Sequence, residues 1–538
     1  MPEPGISRPG PGGWDGNLAD RVRDAARAAG DHLAVRHRPV SGSPTSLTWA
    51  ELDRDVDAAA AGLRTELHLH PGDRLALVLG NTPAFVTAYF GALRAGVVVV
   101  PVNTGYTSAE IASVLGHCNA KAVVADDLTS HVVEEAVTGT HRALVDPAGW
   151  DSVVAGGRGA GPVEAVGEGE DLALLMFTSG TSGAPRGAML SHRALLANLW
   201  QCAAISPTPM RPDDVVLLVL PLFHVYALQA GLGLAAAMHA STVLVDRFDP
   251  AGTLAVVAEE GITNIPGAPP MYVAWAAHDD LTALEGVRLM ASGASDLPVD
   301  VATSIRSRTG HTVQQGYGLT EAAPVVASTL ASGNNTLGTI GHQLPGVEVE
   351  LRDESGSVVE DGDPGELWVR GANLFSGYWP DGADGPGDDG WWPTGDVAIT
   401  DEDGDLVLVD RRKELVIVSG FNVYPREVEE ALTEHPDIAE AAVVGVPDPE
   451  TGEAVKAFVV ARSGAALTPD DVSAHVATRL ARFKRPAVVE VVDSLPHSAT
   501  GKVAKGRLRS GEARSEGGAE AERGKVRRAR DRDRGLLG

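Results

Sequence analysis

The stretch RLALVLGNTPAFVTAYFGALRAGVVVVPVNTGYTSAEIASVLGHCNAKAVVADD, Arg74–Asp127, decides the fold. RLALVLG (Arg74–Gly80), VVVVPV (Val97–Val102) and KAVVADD (Lys121–Asp127) are short apolar runs of strand length. Between them, Pro83–Arg94 and a segment beginning at Ser108 carry apolar residues at helical spacing. The resulting β-α-β-α-β alternation predicts a parallel, doubly wound sheet.

The same rhythm returns over residues 214–268: VVLLVLPLF, a helix, STVLVD, a helix over Pro250–Glu260, then ITNIPGAP. No residue-level repeat links the halves, so two related α/β layers are expected. After Gly341 the texture changes: VEVELRDESG, GELWVRG and GDLVLVDRR are short alternating strands between Asp/Gly turns, a small β-rich lobe. After Arg411 an α/β segment follows, with helices at Pro425–Thr433 and Pro469–Leu480 and strands at AAVVGVP and AVKAFVVA. The expected architecture is α/β: a large N-terminal domain over 17–410 and a small α+β C-terminal domain over 411–510. Residues 1–16, rich in Pro and Gly, and 511–538, rich in mixed charge, read as disordered tails. The run RRARDRDR in the second tail reads as solvated or as a transient contact for an anionic membrane surface.

Composition narrows the functions. At 538 residues the chain needs more than one core. A formal net charge of -28 argues against a nucleic-acid partner. Two distant cysteines, Cys118 and Cys202, have no ligand spacing and indicate a reducing compartment. The N-terminus has no apolar signal core, so a cytoplasmic protein is expected. The long apolar run Val215–Met238 is interrupted by Pro221, His224 and Gln229, and reads as strand, turn and buried helix rather than a membrane span.

Chemistry concentrates in loops. TSGTSGAPRG, Thr178–Gly187, follows the apolar run Asp171–Phe177. It precedes Met189–Trp200, which reads as a helix with Ser191 as N-cap, so the loop is expected to join a strand to a helix. Its glycines allow backbone N–H groups to converge on an anion, and its hydroxyls add donors. It is either a polyphosphate loop or an ordinary flexible connection, and it is no Walker P-loop. GYGLTEA, Gly316–Ala322, sets Thr320 beside Glu321. A single carboxylate beside phosphates suits Mg2+, while the plainer reading is a capped helix start. WWPTGDV presents Asp396 on a turn, suited to a sugar diol or simply to the turn. DRRKELVIVSGFNVYPREVE, Asp410–Glu429, carries three consecutive cations and then SGFN, and LPHSATGKVAKGRLR carries Lys502 after a Thr-Gly turn.

The order and spacing of these segments resemble the adenylate-forming superfamily of acyl-CoA synthetases, peptide-synthetase adenylation domains and luciferases, from about Leu47 to Arg509. TSGTSGAPRG, LPLFHVYAL, GYGLTE, TGD, VSGFNVYPREVE and TGKV are most similar to fatty-acid and coumarate–CoA ligases. The resemblance implies that Thr178, Ser179, Gly180, Thr181, Ser182, Gly183 and Arg186 hold the β- and γ-phosphates of ATP. It implies Thr320 at the α-phosphate and Glu321 on Mg2+. Gly316, Tyr317 and Gly318 would lie on one side of the adenine, with Gly293, Ala294 and Ser295 on the other. Asp396 and Arg411 would hold the ribose. Lys413 would be the hinge of a mobile C-terminal domain, and Lys502 would bridge the acyl carboxylate and the phosphate. Ser419, Gly420 and Phe421 would line the CoA tunnel. The family usually has lysine where this chain has Arg186, and the two cations differ in shape.

The implied reaction forms an acyl-adenylate from ATP and a carboxylic acid, releasing pyrophosphate, and then an acyl-CoA thioester, releasing AMP. Phe223, His224, Tyr226, Gly231 and Val325 would line the acyl pocket. No acidic residue occurs from Pro221 to Val245, so an amino-acid substrate, whose ammonium needs a partner, is disfavoured. A medium- or long-chain fatty acid is favoured over an aryl acid, and free CoA over a carrier protein, since no carrier domain is attached. A non-catalytic nucleotide binder is the reading from another class, and Lys502, Glu321 and Asp396 together argue against it. A monomer or homodimer fits equally.

Overall fold

The computed structural model describes residues 14–178, 186–334, 336–411, 414–418, 421–448, 451–497 and 502–509. The chain divides into two compact units, 1–349 with 369–392, and 350–368 with 393–538.

The first unit holds two sheets. One runs in the order Ala143–Val145, Ala122–Ala125, Arg74–Val78, Val98–Pro101, Leu172–Thr178, Arg186–Ser191, parallel except for its last pair. The other has nine strands. Its centre is parallel, from Val313–Gly318 through Leu289–Ser292, Asn264–Gly267, Val215–Leu218 and Ser241–Val245 to Leu33–Arg38. Antiparallel strands close both ends, Val325–Ser328 with His342–Gln343 at one and Thr45–Thr48 at the other. This is the mixed α/β architecture that the alternation predicts.

Local chemistry starts the helices where expected. Pro83–Arg94 has a proline in its first turn, where the missing N–H costs nothing, and the Thr82 hydroxyl accepts from Phe85 N–H. Pro250–Glu260 is built the same way, with Asp249 accepting from Gly252 N–H at 2.6 Å. The interior is aliphatic, with Ala76, Val100, Val123 and Leu175 packed under one sheet and Leu217, Val243, Ile265 and Trp275 under the other. Arg94, fully buried, is neutralised by Asp53 at 2.6 Å and Asp57 at 2.7 Å.

One expectation changes. Residues 186–191 form a strand, and the helix begins only at His192, after the Ser191 cap. The glycine-rich loop therefore joins two antiparallel strands as a hairpin, with Thr178 opposite Arg186. GAMLS is short and apolar, and periodicity cannot separate a buried strand from a helical turn at that length. Val215–Met238 is, as expected, a strand to Leu218, a turn and a buried helix, the helix being π over Tyr226–Gly233 and α over Leu234–Met238. Among the described residues no helix is long and apolar enough to cross a membrane. Cys118 and Cys202 are buried free thiols.

In the second unit, Gly452–Ala461 pairs with Ile438–Asp448 along one edge and, in parallel, with Val488–Val492 along the other. Val416–Val418 and Phe421–Val423 extend this sheet. Helices Pro425–Thr433 and Pro469–Ala477 bury Val428, Leu432, Val472 and Val476 on a core of Val416, Val443, Val455 and Val459. The second helix ends three residues before the expected Leu480. Trp391–Thr400 and Leu406–Arg411 pair antiparallel, with Asp396 directly opposite Arg411.

Candidate active site

Strands of the nine-stranded sheet end at the residues singled out for adenine. Leu289–Ser292 runs into Gly293, Ala294 and Ser295, and its parallel neighbour carries Gly316, Tyr317 and Gly318. Ligands in open α/β sheets bind beyond the carboxyl ends of such strands. Gly293 donates to Gly267 at 3.1 Å, and a Cβ there would stand 3.1 Å from the Tyr226 ring. The Tyr226 ring therefore packs on the backbone of the 293–295 segment, joining the expected acyl wall to the expected adenine wall. Burial pushes its phenol well above the ordinary tyrosine range, with the Cys202 thiol adding to the shift. Ala294 holds a left-handed φ of +73°.

Gly316–Gly318 and Val325–Ser328 form a tight antiparallel hairpin whose tip is the turn Thr320–Ala322. At Gly318 any Cβ would come 2.3 Å from the Pro324 carbonyl oxygen, so only glycine fits. Buried amides hold this tip from below. The Asn198 side chain donates to Val325 O at 2.8 Å and accepts from Val325 N–H at 3.1 Å. Asn373 donates to Ala322 O at 2.8 Å, and Gln201 donates to Asn373 at 3.1 Å. Each of the three is at most 1 % exposed.

At the tip lies Glu321, a 9 % exposed carboxylate. Tyr378 donates its hydroxyl to Glu321 Oε1 at 2.6 Å. Among the described residues no lysine, arginine or histidine pairs with this carboxylate. A buried carboxylate without a cation calls for a counter-charge, and its second oxygen has no donor among the described residues, so the residue fits a Mg2+ ligand. No group of three or more metal-ligating side chains occurs among the described residues.

Tyr378 also meets the hairpin. The Arg186 guanidinium lies 3.7 Å from the centroid of its ring, and Arg186 reaches Asp384 at 2.5 Å. Tyr378 is brought there by backbone pairing: Met189 N–H donates to Gly377 O, and Trp379 N–H to Gly187 O. Burial, the Glu321 charge and its hydrogen bond to that carboxylate push the Tyr378 phenol well above the ordinary range, against the Arg186 charge. The sequence singled out Arg186 and Glu321 separately. It gave no sign of Tyr378 or Asp384, which come within contact only through the fold.

The remaining expected acyl residues gather along the same helix. Phe223 and His224 precede it, with His224 Nδ1 accepting from Tyr226 N–H at 3.3 Å, and a Cβ on Gly231 would stand 2.7 Å from the Leu218 side chain. In the second unit, Asp396 is 6 % exposed, and its N–H donates to Thr394 Oγ1 at 3.1 Å. Lys502 is exposed and lies next to Val503, which bridges to His497. Three residues on, Lys505 pairs with Glu414 and Glu429, each at 2.9 Å. Ser179, Gly180, Thr181, Ser182, Gly183, Lys413, Ser419 and Gly420 lie outside the described residues, as do 1–13 and 510–538. Thr178, Arg411 and Phe421 are placed by backbone pairing alone.

Known proteins resemble this chain over most of its length. Residues 22–379 match the model of the AMP-binding enzyme family, and residues 427–502 that of the AMP-binding enzyme C-terminal domain. A long-chain-fatty-acid–CoA ligase of Yersinia pestis is 36% identical over 508 residues, covering 87% of this chain and 90% of that protein. A feruloyl-CoA synthase of an Amycolatopsis species is 37% identical over 491 residues, covering 90% and 96%. The crystal structure of ATP-bound MatB from Rhodopseudomonas palustris superposes with a TM-score of 0.84 at 32% identity, over 92% of this chain and 98% of that one. A family model spanning the strand ends, the hairpin and the Glu321 turn, with relatives alike over nearly their whole length, leaves one conclusion: the chain belongs to the AMP-binding enzyme family.

Proposed function

We propose that this enzyme is an AMP-forming acyl-CoA synthetase acting on an apolar carboxylic acid, with a medium- or long-chain fatty acid as its substrate. The observation that carries the reading is the Glu321–Tyr378–Arg186 cluster at the base of the glycine-rich hairpin. It sets a cation and an open carboxylate at one spot, as a metal-bound triphosphate requires. The fatty-acid–CoA ligase relative supports the acid, as does a Tyr226–Gly233 wall free of carboxylates. The feruloyl-CoA synthase relative supports an aryl acid as the second reading.

In the first half-reaction the substrate carboxylate attacks the α-phosphorus of ATP and pyrophosphate leaves. Two anions must meet, so cations decide the rate. Arg186 and the hairpin donors take the β- and γ-phosphates, Thr320 the α-phosphate, and Lys502 the carboxylate and α-phosphate together. Glu321 would hold Mg2+, which when bound would supply further positive charge at the phosphates. Gly293–Ser295 and Gly316–Gly318 flank the adenine, and Asp396 and Arg411 take the ribose. In the second half-reaction the CoA thiol attacks the acyl carbon and AMP leaves. Lys413 is the hinge between a domain over 17–410 and one over 411–510, and Ser419, Gly420 and Phe421 line the thiol's approach. The buried free thiols support a cytoplasmic setting.

The test is pyrophosphate release and thioester formation with a graded panel of fatty and aryl acids, with and without CoA. Release peaking on fatty acids, with thioester formed only when CoA is present, is expected. A peak on cinnamic-type acids moves the assignment to the second reading. Adenylate without CoA turnover points to a carrier-protein acceptor.

A further inference from the structure

The loop from Gly377 to Asp384 folds back on itself. Tyr378 N–H donates to Ala383 O and Gly382 N–H to Tyr378 O, both at 2.9 Å. Trp392 Nε1 donates to Asp384 O at 2.9 Å, and the Phe375 ring stands edge-on to both Tyr378 and Trp392. The loop thus presents two prongs. The Tyr378 hydroxyl is on Glu321 and its ring face under Arg186, while Asp384 holds the guanidinium edge. Asp384 sits at a left-handed φ of +54°, a conformation uncommon outside glycine and Asn/Asp. A planar guanidinium can stack on a ring and bond a carboxylate at once, which an ammonium cannot do as well.

The Asp384 side chain is 71% exposed and Arg186 37% exposed, so this pair is weak and open to exchange. A triphosphate offers a denser negative charge to the same guanidinium. Tyr378, by contrast, touches the carboxylate oxygen opposite the open one, and an orienting hydrogen bond of this kind fixes a metal ligand's direction.

We propose that Tyr378 and Asp384 are positioning residues of the triphosphate site. Tyr378 aims the Glu321 carboxylate, and Asp384 stores Arg186 until the β- and γ-phosphates displace it. Nucleotides with and without those phosphates are thereby told apart before chemistry. The proposal rests on the reading of Arg186 and Glu321 as ATP ligands.

Equilibrium binding of α,β-methylene-ATP and of AMP, titrated against Mg2+, tests it. Asp384→Asn removes the charge with the neutral residue that, after glycine, best tolerates this backbone. It is expected to tighten the ATP analogue by about two- to fivefold, the range of an exposed ion pair, and to leave AMP unchanged. Tyr378→Phe keeps the ring and removes the hydroxyl. It is expected to raise the Mg2+ concentration for half-maximal analogue binding about threefold or more, again with AMP unchanged. Unaltered or weaker analogue binding in Asp384→Asn overturns the storage role, and an unmoved Mg2+ midpoint in Tyr378→Phe overturns the aiming role. Parallel shifts for AMP in both variants overturn both roles, since a general loosening moves every nucleotide. Wild-type protein for which Arg186→Ala leaves analogue affinity intact overturns the ATP reading beneath the proposal.

Discussion

The Glu321 turn of the first unit and the Lys502 loop of the second carry opposite charges for one proposed reaction, and they are built in opposite ways. Around Glu321 the side chains hold one another: Tyr378 bonds the carboxylate, Arg186 stacks on Tyr378, and buried amides pin the hairpin. Lys502 is exposed next to Val503, which bridges to His497, and Leu508 enters a small core with Phe458 and Leu495. Three residues on, Lys505 is held by Glu414 and Glu429, each at 2.9 Å. The contrast is one of construction: side chains interlock around Glu321, whereas Lys502 is an exposed residue for the step proposed for it.

Lys502→Ala breaks the comparison most sharply. Removing one charge that acts on the transition state costs about 3–4 kcal/mol, roughly a hundred- to a thousandfold in rate. Pyrophosphate release should fall by at least that factor, while supplied acyl-AMP and CoA still give thioester at a near-normal rate. Equal losses in both half-reactions would make Lys502 shared or structural.

Tyr226→Ala probes the built side. The ring fills space beside Gly293, so its removal opens the pocket without touching the Glu321 cluster. The ranking of acids by kcat/KM should shift toward bulkier substrates by about 1–3 kcal/mol. An unchanged ranking would locate the acyl pocket elsewhere.

These two residues also mark how far the sequence could be read. The layers were legible because buried parallel strands are apolar runs separated by periodic helices. Pro83–Arg94, Pro250–Glu260 and Pro425–Thr433 begin at prolines that announce them. Leu33–Arg38 and Thr45–Thr48, which add an edge to the nine-stranded sheet, were not legible. LAVRHR buries only Ala34 and Val35 before turning to the polar, half-buried RHR, and TSLT is largely polar and buries no residue. In the site, residues on glycine turns were findable from spacing. Tyr378 and Asp384 were not, since one lies 57 residues from Glu321 and the other 198 from Arg186. Only the closure of the sheet makes them neighbours.

Lys505→Gln sharpens the comparison in the second unit. Burial pulls the Lys505 ammonium down, but Glu429 and Glu414 more than offset it, so it titrates above the ordinary lysine range. The stabilisation is therefore complete below the unfolded lysine pKa and is lost only as pH rises through the folded one. At neutral pH the charge is always present. Removing it leaves two carboxylates facing each other, between the about 1 kcal/mol of an exposed pair and the about 3–5 kcal/mol of a buried one. Pyrophosphate release should fall about tenfold through misplacement of Lys502, a loss of about 1.4 kcal/mol in the barrier. Lys505→Arg should restore most of it. Lost thioester formation from acyl-AMP in the same variant would mean that the whole unit has loosened.

Arg186→Lys gives the smallest effect and the closest test of the first unit. The family's usual lysine keeps a positive charge but gives up stacking on Tyr378, worth about 0.5–1 kcal/mol at an exposed site. The Asp384 pair is of similar size, about 0.2–1 kcal/mol. Affinity for α,β-methylene-ATP should therefore change by no more than about fivefold in either direction. The informative quantity is the coupling with Asp384→Asn. If Asp384 holds the guanidinium in place, the two substitutions interact, and the double variant departs from additivity by about 0.5 kcal/mol or more. Strict additivity would mean that the carboxylate and the guanidinium act on the nucleotide independently, and that Asp384 does not set the position of the hairpin's cation.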